Sequence, residues 1–246
     1  MSLSALPAVE HAPGLWVKGL KLPLPWQNFK LIAFDMDSTL INIECIDEVA
    51  DAAGRKAEVA AITEAAMRGE IADYKDSLRR RVALLEGVPV AAMTEVLTHR
   101  LALNPGAKAL VTACQQAGMS TLLVSGGFTF FTDHVQQLLG IDHVRSNVLE
   151  VADGHLTGRM VDQPWGDICD GEEKRRMLLS TCEVLGIRSA QAIAMGDGAN
   201  DIPMMSVAGL SVAYHAKPKV REAAHVAIDH GGLDRLLTLF ASLRGA

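Results

Sequence analysis

The spacing of hydrophobic and polar residues changes along the chain and divides it into three stretches. Residues 1–29 contain four prolines, and this density predicts an irregular lead-in. The apolar run Lys30–Phe34 follows and predicts a buried strand. Apolar residues then recur at three- and four-residue spacing up to Leu101, with glycines between the runs, which is typical of amphipathic helices. Four helices are predicted there: Ile46–Ala53, Ala57–Met67, Tyr74–Leu85 and Val90–Leu101.

After Pro105 the pattern alternates between helix-like and strand-like segments. A stretch of alternating polarity between Asn147 and Val161, with Asp153-Gly154 inside it, predicts a hairpin. Regular alternation of strand and helix predicts an α/β fold with a Rossmann-like, doubly wound, mostly parallel sheet covered by helices on both faces. The predicted helices are Ala107–Ala117, Phe130–Leu139 and Glu172–Leu185, and the predicted strands are Ser120–Val124, Gln191–Met195, Leu210–Ala213 and Val226–Ile228.

The four helices of the second stretch interrupt the α/β pattern directly after its first strand. We therefore expect a core formed by residues 1–42 and 106–246, and a helical-bundle cap formed by residues 43–105. An insertion at that point lies over the carboxyl edge of the sheet, where open α/β sheets bind their ligands. The cap is thus predicted to serve as a lid.

The first predicted strand ends in two carboxylates, Asp35 and Asp37. In an extended chain, residues two apart project to the same side, so these side chains converge on one small volume. Like charges at that distance are unfavourable unless a cation or a shared proton lies between them. The pair therefore predicts a metal site and acid/base chemistry.

Three later features carry polar groups that can reach the same sheet edge. An apolar run ends in Ser125-Gly126-Gly127, where glycines let backbone N–H groups approach an anion, although a serine-capped turn is also an ordinary connection. Lys174, near the start of a predicted helix, is by itself typical of an exposed surface lysine. The run Gly196–Asp201, with the sequence GDGAND, carries too many carboxylates for a plain loop.

The acidic residues at these strand ends require compensating positive charge. A bound Mg²⁺ together with Lys174 would supply it. Hard oxygen ligands without histidine or cysteine favour Mg²⁺ over zinc. The carboxylates concerned are those of Asp35, Asp37, Asp197 and Asp201.

Composition narrows the choice of partners. Charged residues make up 21% of the chain and the formal net charge is −6. No cluster of Lys and Arg resembles a nucleic-acid footprint, because the densest basic run, Arg79–Arg81, is typical of a solvated helix face. The four cysteines form no CxxC pair, so reduced thiols in a cytoplasmic protein are the simplest interpretation. A secretory signal pattern and a membrane-spanning apolar run are both lacking, so neither a membrane nor nucleic acid is an expected partner.

Taken together, the motifs resemble a known superfamily. DxDST, Ser-Gly-Gly, a lysine and GDGAND, in that order, resemble the haloacid dehalogenase superfamily of phosphatases. The segments DMDSTLINIECIDEVA, SLRRRVALL, SGGFTFF, GDGANDIPM and AYHAKPKV are similar to the phosphoserine phosphatases of that superfamily, over about residues 30–240. The resemblance implies Mg²⁺-dependent hydrolysis of O-phospho-L-serine to L-serine and phosphate through an aspartyl-phosphate, the last step of serine biosynthesis.

A role for each residue of the core site is implied by the same resemblance. Asp35 would attack phosphorus, and Asp37 would act as general acid and then as general base. Asp35, the backbone carbonyl of Asp37, and Asp197 would hold Mg²⁺, and Asp201 would support them. The substrate would be bound in the core by Ser125, Gly126, Lys174 and Asn200.

The cap would supply selectivity for the amino acid. Glu44 would pair with the substrate ammonium, and Arg81 would take the carboxylate in a bidentate fork. Met67 and Tyr74 match positions that close over the site in this family, where phenylalanine is common at the second position. The segment before the arginine run is one residue longer than usual in the family, so Arg80 remains the alternative for the carboxylate.

Two other functions remain open at this stage. The same aspartyl-phosphate could be captured by an alcohol such as homoserine, which would make the protein a phosphotransferase. A phosphometabolite-binding module without turnover is the other, although binding alone does not need a nucleophile. The oligomeric state and the preference between L- and D-phosphoserine are not indicated by the sequence.

Overall fold

The computed structural model describes residue 3 and residues 6–67 and 73–241. Within these residues, nine strands form one sheet in the order β1-β2-β9-β8-β7-β3-β4-β5-β6. The strands are β1 (Ala8–Ala12), β2 (Leu15–Lys18), β3 (Leu31–Phe34), β4 (Ser120–Phe128), β5 (His143–Ala152), β6 (His155–Val161), β7 (Ala192–Gly196), β8 (Leu210–Tyr214) and β9 (Val226–Ile228). The helices are α1 (Cys45–Ala52), α2 (Lys56–Met67), α3 (Tyr74–Ala83), α4 (Val90–His99), α5 (Ala107–Gln116), α6 (Thr129–Leu139), α7 (Gly171–Val184), α8 (Ile202–Val207) and α9 (Pro218–Ala223).

The centre of the sheet is parallel and covered on both faces. Strands β9, β8, β7, β3, β4 and β5 run parallel to one another. Side chains of β3 alternate between two apolar clusters: Ile32 and Phe34 pack with residues of α5 and α6, and Leu31 and Ala33 pack with residues of α7 and α8. A strand buried on both faces is apolar throughout, which is why β3 reads as an uninterrupted hydrophobic run. The predicted doubly wound α/β fold is confirmed.

Helices α1 to α4 leave and rejoin the α/β part at two adjacent points; we call residues 45–99 the helical segment. The outgoing and returning chains pair at a bridge between Ile41 and Leu103. The backbone N–H of Asn42 donates to the carbonyl of Ala102 at 3.0 Å, and the side chain of Asn104 donates to the carbonyl of Ile41 at 2.8 Å. These bonds hold the segment to the sheet by a narrow, two-chain neck.

The predicted hairpin is confirmed, and it is also hydrogen-bonded to the helical segment. Strands β5 and β6 are joined at Asp153-Gly154, both in the left-handed conformation that this tight turn requires. The N–H of Gly87 donates to the carbonyl of Leu156, and the N–H of Leu156 donates to the carbonyl of Val88, each at 2.8 Å. The hairpin therefore forms a backbone-bonded support for the helical segment between α3 and α4.

The prediction of an irregular lead-in over residues 1–29 is wrong for residues 8–18. Strands β1 and β2 form an antiparallel hairpin, and β2 pairs antiparallel with β9 at the edge of the sheet. Leu15 is fully buried in the core. The prolines did not prevent this because Pro7 and Pro13 lie just outside β1, where no interior hydrogen bond is lost. Proline density averaged over the stretch concealed two short strands between the prolines.

In the described ranges, no helix has the length and apolar character needed to cross a lipid bilayer.

The contribution of the N-terminal hairpin can be measured directly. Leu15→Ala should lower the free energy of unfolding by about 2–5 kcal/mol, because a fully buried leucine leaves a cavity between the hairpin and the core. Denaturant unfolding followed by circular dichroism checks this. Val9→Ala on the same hairpin is the control: Val9 is 60% exposed, and the change should be within about 0.5 kcal/mol. Equal small effects at both positions would contradict the buried placement of β2.

Candidate active site

Three neighbouring parallel strands, β7, β3 and β4, end at the same edge of the sheet. Their register pairs Phe34 with Leu123 on one side and with Met195 on the other. Asp35 directly follows β3, and Asp197 directly follows β7, so the two carboxylates emerge side by side. Ser125 lies on β4, two residues beyond Leu123. The structure thus brings together the polar residues that the sequence placed at separate strand ends.

A buried lysine links two of these carboxylates. Lys174 is fully buried, and its Nζ lies 2.7 Å from Asp35 Oδ1 and 2.7 Å from Asp201 Oδ1. Burial alone would lower the pKa of Lys174, but the carboxylates of Asp201 and Asp35 outweigh it and hold that pKa well above its usual value. The ammonium therefore stays charged. The expectation that a lysine here could simply lie on the surface does not hold for this residue.

The first turn of α7 places Lys174 at this point. Asp170 caps the helix, since its Oδ1 accepts a hydrogen bond from the N–H of Glu173 at 2.8 Å. Its backbone carbonyl accepts from the N–H of Lys174 at 2.9 Å. The capped turn fixes the direction in which the lysine side chain enters the core.

Asp201 organises the GDGAND loop from inside. Its Oδ1 accepts from Lys174, and its Oδ2 accepts from the backbone N–H groups of Asp197 and Gly198 at 3.1 and 3.0 Å. A Cβ atom at Gly196 would collide with the Asp201 carboxyl, so only glycine allows this close approach. Asp201 is consequently occupied by protein donors on both oxygens.

Asp197 and Asp35 are less completely partnered. Asp197 Oδ1 accepts a hydrogen bond from the hydroxyl of Thr39 at 3.1 Å, and Asp35 Oδ1 accepts from the N–H of Met36 at 2.7 Å. Burial, and then the charge of Asp201, raise the pKa of Asp197 to about 7 and hold the pKa of Asp35 well above its usual value. The two carboxylates thus sit in excess negative charge that a cation would relieve.

Oxygen atoms of Asp35, Asp197 and Asp201 lie within 4.8 Å of one another. This cluster could hold a metal ion. The all-oxygen donor set fits a hard divalent cation rather than zinc. Because Asp201 is already engaged by Lys174 and by backbone donors, Asp35 and Asp197 are the members best placed to be direct ligands.

Asp37 lies in a turn that follows Asp35. Its backbone is extended, and the next residue, Ser38, adopts a left-handed conformation with φ of 56°. Asp37 Oδ1 is buried and has no hydrogen-bond partner among the residues that the structure describes. Burial, and then the nearby charge of Glu44, raise the pKa of Asp37 to about 8. A carboxyl with this pKa is largely protonated at neutral pH and can donate a proton.

The glycine-rich end of β4 is held in place by an asparagine that the sequence did not reveal. Asn147 donates from its side chain to the carbonyl of Gly126 at 2.8 Å and accepts from the N–H of Cys169 at 2.7 Å. Ser125 Oγ accepts from the N–H of Gly127 at 2.9 Å. Asn147 lies in a stretch of alternating polarity, so nothing in the local pattern distinguished it from an exposed strand residue.

These groups line a pocket of about 130 Å³ that the helical segment covers. Two further residues of the helical segment, Ile46 and Leu78, give the pocket an apolar side. Lys217, from the loop after β8, also lines it and was not singled out from the sequence. The predicted site residues found in the lining are Asp35, Asp37, Glu44, Tyr74, Arg81, Ser125, Gly126, Asp197 and Asn200.

The position of the arginine run resolves which arginine faces the pocket. Arg81 lines it, and its Nε is buried without a partner in the described part of the chain. Arg80 is more than half exposed and pairs with Asp76, one turn earlier on α3, at 2.8 Å. Met67 is the last residue of α2, and its side chain lies outside the described residues.

Comparison with known proteins places this site in a family. A family profile described as haloacid dehalogenase-like hydrolase matches residues 32–206. The chain is 74% identical over 230 residues to the phosphoserine phosphatase of Polaromonas sp. (strain JS666), which covers 94% of this chain and 98% of that relative. It is 69% identical over 229 residues to the phosphoserine phosphatase of Albidiferax ferrireducens, which covers 93% of this chain and 97% of that relative.

A solved structure agrees with these relatives. A phospho-aspartyl intermediate analogue of phosphoserine phosphatase superimposes with a TM-score of 0.79 at 37% identity, covering 87% of this chain and 99% of that one. The profile spans more than half of the chain, and both relatives align along nearly their whole length. The chain therefore belongs to the haloacid dehalogenase-like hydrolases and, within them, to the phosphoserine phosphatases.

Proposed function

We propose that this protein hydrolyses O-phospho-L-serine to L-serine and phosphate, with Asp35 as the nucleophile and Asp37 as the general acid and base. The observation that carries the proposal is the pairing of two different carboxyl groups at one strand end. Asp35 lies 2.7 Å from the Lys174 ammonium and belongs to the carboxylate cluster that could hold a cation, so that cation together with Lys174 would favour its charged form. The Asp37 side chain lies outside this cluster, its buried Oδ1 has no hydrogen-bond partner among the described residues, and its pKa is raised to about 8. A nucleophile needs the charged form and an acid needs the protonated form, so the two environments match the two roles.

In the first half-reaction, a carboxylate oxygen of Asp35 forms a bond to phosphorus while the bond from phosphorus to the serine oxygen breaks. Asp37 gives its proton to that departing oxygen. In the second half-reaction, Asp37, now charged, takes a proton from water as the water oxygen attacks phosphorus. Asp35 is released as a carboxylate, and Asp37 is protonated again.

The phosphoryl group would lie between the glycine-rich end of β4 and Lys174. Ser125 and the N–H of Gly126 would donate to its oxygens, and the fixed ammonium of Lys174 would offset the charge that spreads over them. Donors that are held in place by the fold require no reorganisation when the reaction occurs. The bonds from Asn147 to Gly126 and Cys169 support this rigidity.

We further propose that the metal ion is Mg²⁺, held by Asp35, the backbone carbonyl of Asp37, and Asp197, with Asp201 supporting them. When bound, Mg²⁺ supplies positive charge to the phosphoryl oxygens and to the surrounding carboxylates. Asp201 would act by orienting Asp197 and Gly198 through their N–H groups.

The helical segment would select the amino acid, as part of a cap formed by residues 43–105. Glu44 would pair with the substrate ammonium, Arg81 with the carboxylate, and Asn200 would help to orient the substrate. Closure is supported by ion pairs from α3 to the loop before α7, where Lys75 Nζ lies 2.8 Å from Asp167 Oδ1 and Arg79 contacts the same carboxylate. Tyr74 and Met67 would complete the cover.

We also propose a cytoplasmic location and a role in the last step of serine biosynthesis. The four cysteines are buried free thiols, which is consistent with a reducing compartment.

The nucleophile is tested by Asp35→Asn. The amide keeps the shape of the side chain but cannot form an acyl-phosphate, so phosphate release from phosphoserine should fall to the background rate while the circular dichroism spectrum is unchanged. Asp133→Asn, on the exposed face of α6, is the matched control and should keep wild-type activity. Activity of Asp35→Asn within tenfold of the wild type would remove Asp35 from this role.

Adding homoserine to the wild type and searching for phosphohomoserine separates hydrolysis from phosphotransfer.

The metal is tested by thermal unfolding as well as by turnover. Mg²⁺ at about one hundred times its dissociation constant should add roughly 2.7 kcal/mol to the free energy of unfolding, compared with the protein in chelator. Asp197→Asn should lose most of this stabilisation, and NaCl at equal ionic strength should not reproduce it. Chelation should stop phosphate release, and Ca²⁺ should bind but inhibit, because its longer bonds misplace the attacking carboxylate. Full activity after dialysis against chelator would contradict the assignment.

Selectivity is tested with two substrates and two arginines. Arg81→Ala should raise the KM for phosphoserine by roughly 30- to 1000-fold, corresponding to about 2–4 kcal/mol for a lost charge-assisted contact. The same variant should hardly change hydrolysis of p-nitrophenyl phosphate, which has no carboxylate. Glu44→Gln should show the same selectivity through the ammonium group.

Arg80→Ala is the matched control, because Arg80 pairs with Asp76 outside the pocket. It should leave both substrates unchanged. If Arg81→Ala impaired the two substrates equally, the helical segment would not read the amino acid, and the protein would be a phosphatase of another specificity.

A further inference from the structure

Tyr74 is the one tyrosine in the lining of the pocket, and it enters from the helical segment. It is the first residue of α3, directly after Asp73, whose side chain caps the helix by accepting from the N–H of Lys75 at 3.2 Å. The cap fixes the first turn and hence the direction of the tyrosine ring. The ring crosses from the helical segment to the glycine-rich end of β4.

The hydroxyl of Tyr74 ends against Gly126. A Cβ atom built on Gly126 would collide with this hydroxyl oxygen, so the tyrosine occupies the space above the glycine backbone. Gly126 belongs to the Ser-Gly-Gly run that borders the Asp35 side of the pocket. The lid residue therefore reaches the part of the pocket assigned to the phosphoryl group, and not only the part assigned to the amino acid.

The surroundings of this hydroxyl suit a hydrogen-bond donor to an anion. Burial raises the pKa of Tyr74 well above its usual value, so the phenol keeps its proton throughout the physiological range. The charged side chains that influence the pKa of this hydroxyl are those of Lys174, Arg81 and Asp35. It makes no hydrogen bond to any residue that the structure describes. Tyr74 is half-buried, with its ring against the apolar core and its hydroxyl at the pocket, and an oxygen of a bound phosphoryl group would be an acceptor for that hydroxyl.

We propose that the Tyr74 hydroxyl donates a hydrogen bond to a phosphoryl oxygen of the substrate, which makes it a further binding residue for the transferred group. This inference rests on the proposed function of the site. It gives the helical segment two points of recognition, because Arg81 would hold the carboxylate and Tyr74 the phosphoryl group. Closure would then be favoured by phosphate itself, so inorganic phosphate, the product, would also bind to the closed form.

The experiment compares Tyr74→Phe with the wild type, since this change removes only the hydroxyl oxygen. Three quantities are measured: KM for phosphoserine, KM for p-nitrophenyl phosphate, and the inhibition constant of inorganic phosphate. Each should rise by roughly tenfold, the lower range for a hydrogen bond to a charged group. Tyr214→Phe is the matched control, because the other tyrosine of the chain bonds to Gly231 at 3.4 Å, away from the pocket. It should leave all three constants unchanged.

Two outcomes would overturn the proposal. Unchanged constants in Tyr74→Phe would show that only the ring contributes, as a cover. A loss confined to phosphoserine would place the hydroxyl at the amino-acid end. Thermal unfolding of both variants confirms that they are folded.

Binding of inorganic phosphate, followed by calorimetry, keeps this test separate from that of the proposed function. A wild type that did not hydrolyse phosphoserine would refute the proposed substrate. The ratio of phosphate affinities between wild type and Tyr74→Phe would still report on the hydroxyl.

Discussion

The ion pair of Lys174 with Asp35 and Asp201 is the interaction on which the rest of the site depends. An ammonium buried alone costs several kcal/mol, and so does each isolated carboxylate, so none of the three groups is stable there without the others. The lysine joins β3, α7 and the loop after β7 at one point. Asp201 also fixes the loop after β7, because its Oδ2 accepts hydrogen bonds from the N–H groups of Asp197 and Gly198.

The Lys174 ammonium alone does not balance the carboxyl groups of Asp35, Asp37, Asp197 and Asp201. The pKa values of Asp35, Asp37 and Asp197 are all raised, first by burial and then by neighbouring acids. The carboxyl edge of the sheet therefore holds more acidic groups than Lys174 can stabilise in their charged forms. Acidic groups held this close together are unfavourable for folding and favourable for binding a cation, so the residues that cost stability are those proposed for the metal site.

The sequence was most informative where chemistry follows directly from a strand end. DMDST and GDGAND lie next to apolar runs that must be buried, and parallel strands bring their ends to one edge, so the meeting of Asp35 with Asp197 could be foreseen. Asn147 could not, because its function depends on contacts with Gly126 and Cys169 that are distant along the chain. Strand β2 was missed partly for a similar reason, because its partner β9 lies at the other end of the sequence, whereas β1 was concealed by the prolines on either side of it.

The narrow neck at Ile41 and Leu103 has a consequence for how such proteins diversify. Because the two crossing chains are adjacent and bonded to each other, the ends of the helical segment are as close together as those of an ordinary loop. An insertion with adjacent ends can be lengthened, shortened or exchanged without moving the strands that flank it. Arg81, Glu44 and Tyr74 all lie beyond this neck, and Asp35 lies before it. Exchange of the chain between these two positions would replace the residues proposed to contact the amino acid and leave the proposed nucleophile in place.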